Sequence, residues 1–192
     1  MDGGILSGLG LAAPAGINAP LTLLLVALAD RFTGFADLPA DWDWLSSWPA
    51  IGALAVLLAI EEVVDKIPGL DHVNDAVQTA LRPSAGAVVM LASTSGDLPP
   101  AVAAVLGLAL AGTAHATKAG ARPVVTLGTA GLGNPVVSVV EDAIAFIAVV
   151  LALVVPVMAV LIVLALLAAA VAVAVTRRRR RRARRAETAA PG

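Results

Sequence analysis

The sequence predicts an all-α membrane protein with six transmembrane helices, arranged as two inverted three-helix repeats, some helices being broken at Gly/Pro. Three observations predict it. Hydrophobic residues make up 59% of the 192 residues and charged ones 14%, and the mean hydropathy is +0.90; that is too apolar for an ordinary soluble domain and long enough for several spans. Apolar runs of roughly 20 residues, the length a bilayer demands, recur along the chain. Finally, AGINAPLT at 15–22 and AGARPVVT at 119–126 share an Ala-Gly start, a proline and a closing threonine. Each is followed by a Gly-containing connection and a span opened by proline, at Pro49 and Pro135, with an acidic pair further on. Units at about 5–93 and 101–176 would then enter the membrane in opposite directions, the plan of many secondary transporters.

The first span, about 5–29, contains LAAPAGINAPLT and is expected to break near its middle. The second starts at Pro49, a favoured first-turn residue, and runs to Lys66, where IPG ends it. The third covers about 73–93 and includes Arg82 and Pro83; the fourth, about 101–118, is rich in Ala and Gly and is expected to break in AHATKAGARP. From 143 to 175 the chain carries no charge. As one helix that stretch would measure roughly 50 Å against a hydrocarbon core of about 30 Å. A fifth span from Pro135 to about 155, a turn at Pro156 and a sixth span resolve the mismatch and draw Glu141 and Asp142 into the membrane; one long kinked helix is the alternative.

Arginines 177–182, 184 and 185 supply eight of the thirteen basic residues, so the rest of the chain is acidic. With six spans both termini share a side, and the arginine tail marks that side as cytoplasmic. Lys66, Lys118 and Arg122 are then expected to flank cytoplasmic loops, with Trp42, Trp44 and Trp48 as interfacial anchors on the opposite side. This organisation makes 1–176 a membrane domain and 177–192 a basic, disordered cytoplasmic tail. The absence of cysteine excludes disulfides and thiolate chemistry.

Charged residues inside spans are costly. An isolated arginine near the midplane, as Arg82 is placed by counting from His72, costs at least about 3 kcal/mol. Asp75, Gln78 and Arg82 are spaced by three and four and share one helix face; Glu61 with Asp65 and Glu62 with Lys66 are i,i+4 pairs on the preceding span. The short IPGLDH turn makes these spans antiparallel neighbours, so their charges can satisfy one another and meet Glu141 and Asp142. Glu61, Glu62, Asp65, Arg82, Glu141 and Asp142 are therefore the candidate ion or substrate pathway. The competing reading is a buried ion-pair lattice that fixes helix register. Asn18, His115, Lys118 and Arg122 stand at the two expected helix breaks, where freed backbone groups suit a substrate site.

GLGLAAPAGINAPLTLLLVALADRF, IEEVVDKIPGLDHVNDAVQTALRPSAGAV and AHATKAGARPVV with NPVVSVVEDAIA together resemble the bacterial integral membrane family catalogued as domain of unknown function 4126. The resemblance covers about 8–170, implies a small multispanning protein and leaves the substrate open. The expectation is a transporter or channel-like protein of the inner membrane for an ion or small polar solute, acting without cofactor or metal and plausibly as a homodimer. The alternative is a membrane scaffold or lipid-handling protein that binds anionic headgroups through Arg177, Arg178, Arg179, Arg180, Arg181, Arg182, Arg184 and Arg185. An enzyme is not expected, because no nucleophile motif or metal-ligand spacing is present. Nucleic acid is a poor partner, because no aromatic residue interleaves with the arginines.

Overall fold

The structure, a computed structural model, describes residues 4–64 and 71–176 except 157, 159, 163, 167, 170 and 174; the side chains of 71–76 fall outside the description. Compact units span Met1–Val160 and Leu161–Gly192. The described residues of the first form α1 (Gly4–Ile17), α2 (Ala19–Phe32), α3 (Trp48–Val64), α4 (Asp71–Ser93), α5 (Pro100–Thr129) and α6 (Asn134–Val154), with a 3-10 turn at Ala40–Ser46. Among the described residues there is no strand. In the second unit, the described residues from Leu161 to Thr176 are helical.

Proline marks helix starts, where its missing N–H costs nothing: Pro20 in α2, Pro49 in α3, Pro100 in α5 and Pro135 in α6. Asn18 alone separates α1 from α2. Its backbone is extended, and its side-chain oxygen accepts from the Leu21 N–H, so it ends one helix and caps the next. α6 stops at Val154 because Val155 leaves the helical region beside Pro156, which interrupts the long uncharged stretch near the expected place.

Contacts along the helices fix their directions. Gly4 faces Ser93 and Asp97, Gly8 faces Met90, and Gly16 faces Ala111, so α1 runs antiparallel to α4 and parallel to α5. Arg31 stacks on Trp48 at one end of the α2–α3 pair, and at the other Ala19 and Pro20 share a cleft with Ile60 and Glu61. α2 is therefore antiparallel to α3. Its outer end joins the turn carrying Trp42 and Trp44, which share a cavity with Thr94 to Gly96 and Pro100. Consequently the outer ends of α1 and α2 lie at the same end of the bundle, the tryptophan end. The first apolar segment is thus not a single broken crossing but a helical hairpin with its tip at Asn18. The physical reason is the single extended residue, which turns the chain back where a kink had been expected to carry it onward.

A second correction concerns the fourth segment. α5 is continuous from Pro100 to Thr129 and passes unbroken through Lys118, Gly120, Arg122 and Pro123. The two repeat-like motifs therefore adopt different conformations: Ala15 to Thr22 breaks, whereas Ala119 to Thr126 is helical.

α1 wedges between α5 and α6, which otherwise meet little. Its small residues permit this approach. A Cβ on Gly16 would collide with the Ala111 carbonyl, and one on Gly107 with the Gly86 carbonyl, so α1, α4 and α5 touch backbone to backbone. Leu11, Val26, Val89, Val149 and Ala152 form the apolar core toward the tryptophan end.

The burial pattern is inverted relative to a water-soluble protein. Arg82 is 0% exposed and Glu61 3%, while Val105 is 62% and Ile147 56% exposed. α5 and α6 are long and apolar enough to cross a membrane, and the turn at Ala40–Ser46 with α3 makes a third such span if counted as one bent element. Charges inside and apolar side chains outside identify a protein solvated by hydrocarbon, because water would exact a large cost for that perimeter.

Candidate functional site

The hairpin tip and four helices, α3 to α6, converge on one polar layer. Measured along each helix from the tryptophan end, Asn18 lies about 21 Å deep, Glu61 about 20 Å, Arg82 about 17 Å, His115 about 22 Å and Asp142 about 18 Å. Equal depth on separate helices is what lets residues distant in sequence meet.

Two linked networks result. In the first, Arg82 Nη2 donates to Glu61 Oε1 at 2.6 Å, and Arg82 Nη1 lies 3.2 Å from His115 Nδ1. A guanidinium only donates, so Nδ1 accepts and the ring's hydrogen sits on Nε2, 3.1 Å from Thr79 Oγ1. His115 is thus held as one neutral tautomer.

The second network grips the hairpin tip. Asn18 Nδ2 donates to Asp142 Oδ1 at 2.8 Å, and Lys118 Nζ donates to the Ile17 carbonyl at 3.1 Å. That carbonyl is one of those left over at the end of α1, where a cation also complements the helix dipole. Lys118 and Arg122 both pair with Glu141 Oε2, at 3.0 and 3.4 Å. The Glu62 and Asp142 side chains are neighbours. The layer thus holds the carboxyls of Glu61, Glu62, Glu141 and Asp142 together with the cations Arg82, Lys118 and Arg122.

Of the sequence-predicted pathway residues, Glu61, Glu62, Arg82, Glu141 and Asp142 come together in this layer, while Asp65 lies outside the described residues, as do Lys66 and arginines 177–182, 184 and 185. Asn18, His115, Lys118 and Arg122 also join it, but from one helix break rather than two. His115, Lys118 and Arg122 share one face of an intact α5, from which Lys118 reaches the break in the hairpin. Lys118 and Arg122 are buried, so neither flanks a loop as the basic-residue pattern had suggested. The Ile17 carbonyl and Thr79 escaped sequence reasoning. Ile17 was discoverable as the residue preceding a capping asparagine; Thr79 carried no signal beyond its spacing from Arg82.

No curated protein and no solved structure matches the chain. The model of one family, described as a domain of unknown function (DUF4126), matches residues 5–176. With most of its length covered by that match, the chain belongs to the DUF4126 family.

Proposed function

We propose that this protein moves an ion or small polar solute across a membrane, with the polar layer at the hairpin tip as its site. In this reading α1 and α2 are a re-entrant hairpin and α3 to α6 cross the bilayer. The tryptophan end faces away from the cytoplasm, since the loops there hold Asp37, Asp41, Asp43 and Asp97 against Arg31. Both the six-span count and the inverted repeat give way to this arrangement.

The observation that carries the reading is the hairpin tip itself. A broken helix at membrane depth exposes backbone groups, which is tolerated only beside protein or a polar cavity. Here the tip meets ionisable side chains from α5 and α6, with Asn18 on Asp142 and the Ile17 carbonyl on Lys118. Half-buried Glu62, Glu141 and Asp142 line the layer's less enclosed side. Glu62 and Asp142 stand side by side there, and the step this reading assigns to the site is the uptake and release of a proton or a cation by that carboxyl pair.

The test is reconstitution into liposomes holding a pH-sensitive dye, under an imposed potential, for wild type, Asp142→Asn and Glu62→Gln. Proton or alkali-cation flux in wild type, lost in both variants while each keeps a cooperative thermal transition, is the expected result. Absence of flux with every small ion and polar solute tried returns the charged layer to a register-fixing lattice. The lipid-handling alternative, acting through arginines 177–182, 184 and 185, predicts that removal of residues after Thr176 abolishes vesicle binding and leaves flux intact.

A further inference from the structure

The 3-10 turn at Ala40–Ser46 and the connection between α4 and α5 border a cavity of about 450 Å³, within the range of small-molecule sites. Trp42 and Trp44 both line it, with ring centroids 6.2 Å apart and planes inclined at 36°. Leu91, Leu98 and Ala103 add aliphatic wall. The turn that presents the rings is fixed from α2. Asp30 accepts from the Leu38 N–H at 2.7 Å and from the Ser46 hydroxyl, and Arg31 donates to the Ser46 carbonyl at 3.0 Å. Trp42 also packs against the apolar core. The rings therefore stand in place before a ligand arrives.

The formal charge of this wall is carried by Asp41 alone. Its carboxylate is exposed and enters no ion pair among the described residues. Arg31, the cation at this end, is committed to Ser46 and to the face of Trp48, 4.5 Å from the ring centroid. Asp37, Asp43 and Asp97 deepen the negative potential around it, so an anion is disfavoured. Thr94 and Ser95 already donate their hydroxyl hydrogens to the Met90 and Leu91 carbonyls, at 2.7 and 3.2 Å. The remaining side-chain donors, the two indole N–H groups, are uncharged and lie in the ring planes, so a cation on a ring face does not meet them. Those faces carry the negative end of the ring quadrupole, which attracts cations, most strongly at tryptophan. A primary ammonium is strongly hydrated, whereas a methylated one gains from carbon as well as from charge.

We propose that this cavity binds a quaternary ammonium group, such as the trimethylammonium of choline, on the faces of Trp42 and Trp44 beside the Asp41 carboxylate. The group arrives either on a free solute or on a lipid headgroup. The assignment goes beyond the transport reading and does not depend on it, because the cavity lies at the tryptophan end and shares no residue with the polar layer.

The experiment is equilibrium dialysis of radiolabelled choline against the full chain in dodecyl maltoside micelles at low ionic strength, with unlabelled choline and its uncharged isostere dimethylbutanol as competitors. Saturable binding that choline displaces and dimethylbutanol displaces poorly is expected. Trp44→Leu, at an exposed position, lowers the affinity about fivefold or more, the worth of one ring face. Asp41→Asn lowers it about fivefold, the worth of one carboxylate near 4 Å in water. Trp48→Phe, whose ring is not part of the cavity wall, leaves it unchanged. Choline uptake no greater than in empty micelles, or displacement by dimethylbutanol as effective as by choline, overturns the proposal on the wild-type protein alone. Wild-type affinity in both Trp44→Leu and Asp41→Asn overturns the location. Nanodiscs of phosphatidylcholine and of phosphatidylethanolamine then separate the sources: choline binding lost only in the former assigns the site to the lipid headgroup, and equal binding in both assigns it to a free solute.

Discussion

Replacing Glu61 by glutamine isolates the question of what a buried charge costs here. The substitution keeps the shape of the side chain and removes its charge, leaving Arg82, 0% exposed, with a neutral amide and the neutral His115 ring. For charges about 4 Å apart at an effective dielectric constant near 20, the lost attraction is about 4 kcal/mol. That agrees with the roughly 3–5 kcal/mol seen when one partner of a buried ion pair is removed. For a chain of this length the corresponding fall in Tm is about 6–20 °C. Tryptophan fluorescence during thermal and denaturant unfolding in mixed micelles reads it, since Trp42, Trp44 and Trp48 cluster at the tryptophan end. The double variant Glu61→Gln with Arg82→Met separates charge from packing. Because Met removes the unpaired cation, the double variant is expected to regain most of the lost stability, with a coupling energy of several kcal/mol. A single variant that loses less than about 1 kcal/mol would mean that water screens Arg82, and a double variant as unstable as the single would mean that packing, not charge, sets the cost.

Further outcomes follow from the same geometry. Because the chain lacks cysteine, single cysteines report topology directly: Ile5→Cys, Thr33→Cys and Ser95→Cys are expected to react with an impermeant maleimide from one side and Leu132→Cys from the other, whereas a first segment that crosses once would separate Ile5 from Thr33. Asn18→Leu removes both the cap of α2 and the bond to Asp142, and a loss of about 1–3 kcal/mol is expected in denaturant titration. Gly107→Ala drives a methyl group against the Gly86 backbone and is expected to cost at least about 1–3 kcal/mol. Gly120→Ala, on the same helix with open space around it, is expected to raise stability by up to about 1 kcal/mol through helix propensity.

Much of the fold was legible because it rests on local rules. The prolines at 20, 49, 100 and 135 announce helix starts, and the apolar runs announce helices facing hydrocarbon. The Glu61 to Arg82 pairing was legible as well, since a short connection makes neighbours of the helices that carry them. The direction of the chain after Asn18 was not. A Pro/Gly-rich interruption reads equally as a kink within one crossing or as the tip of a hairpin, and the choice depends on what lies beyond it. Likewise, KAGARP looks as breakable as AGINAP. One stays helical because Lys118 and Arg122 are held by Glu141 along an unbroken face, while the other opens because Asn18 can cap the next helix and bond to Asp142.

The sequence by itself determined the solvent this protein occupies, the positions of most helix ends and the set of charges that must be satisfied inside, because these follow from transfer free energies and from backbone chemistry within a few residues. Only the tertiary structure decided that the first segment turns back, that one helix break rather than two is surrounded by charge, and that Trp42 and Trp44 share a cavity with the α4–α5 connection. Those outcomes depend on depth: residues far apart in sequence meet when their distances along separate helices coincide, and no local pattern records that coincidence.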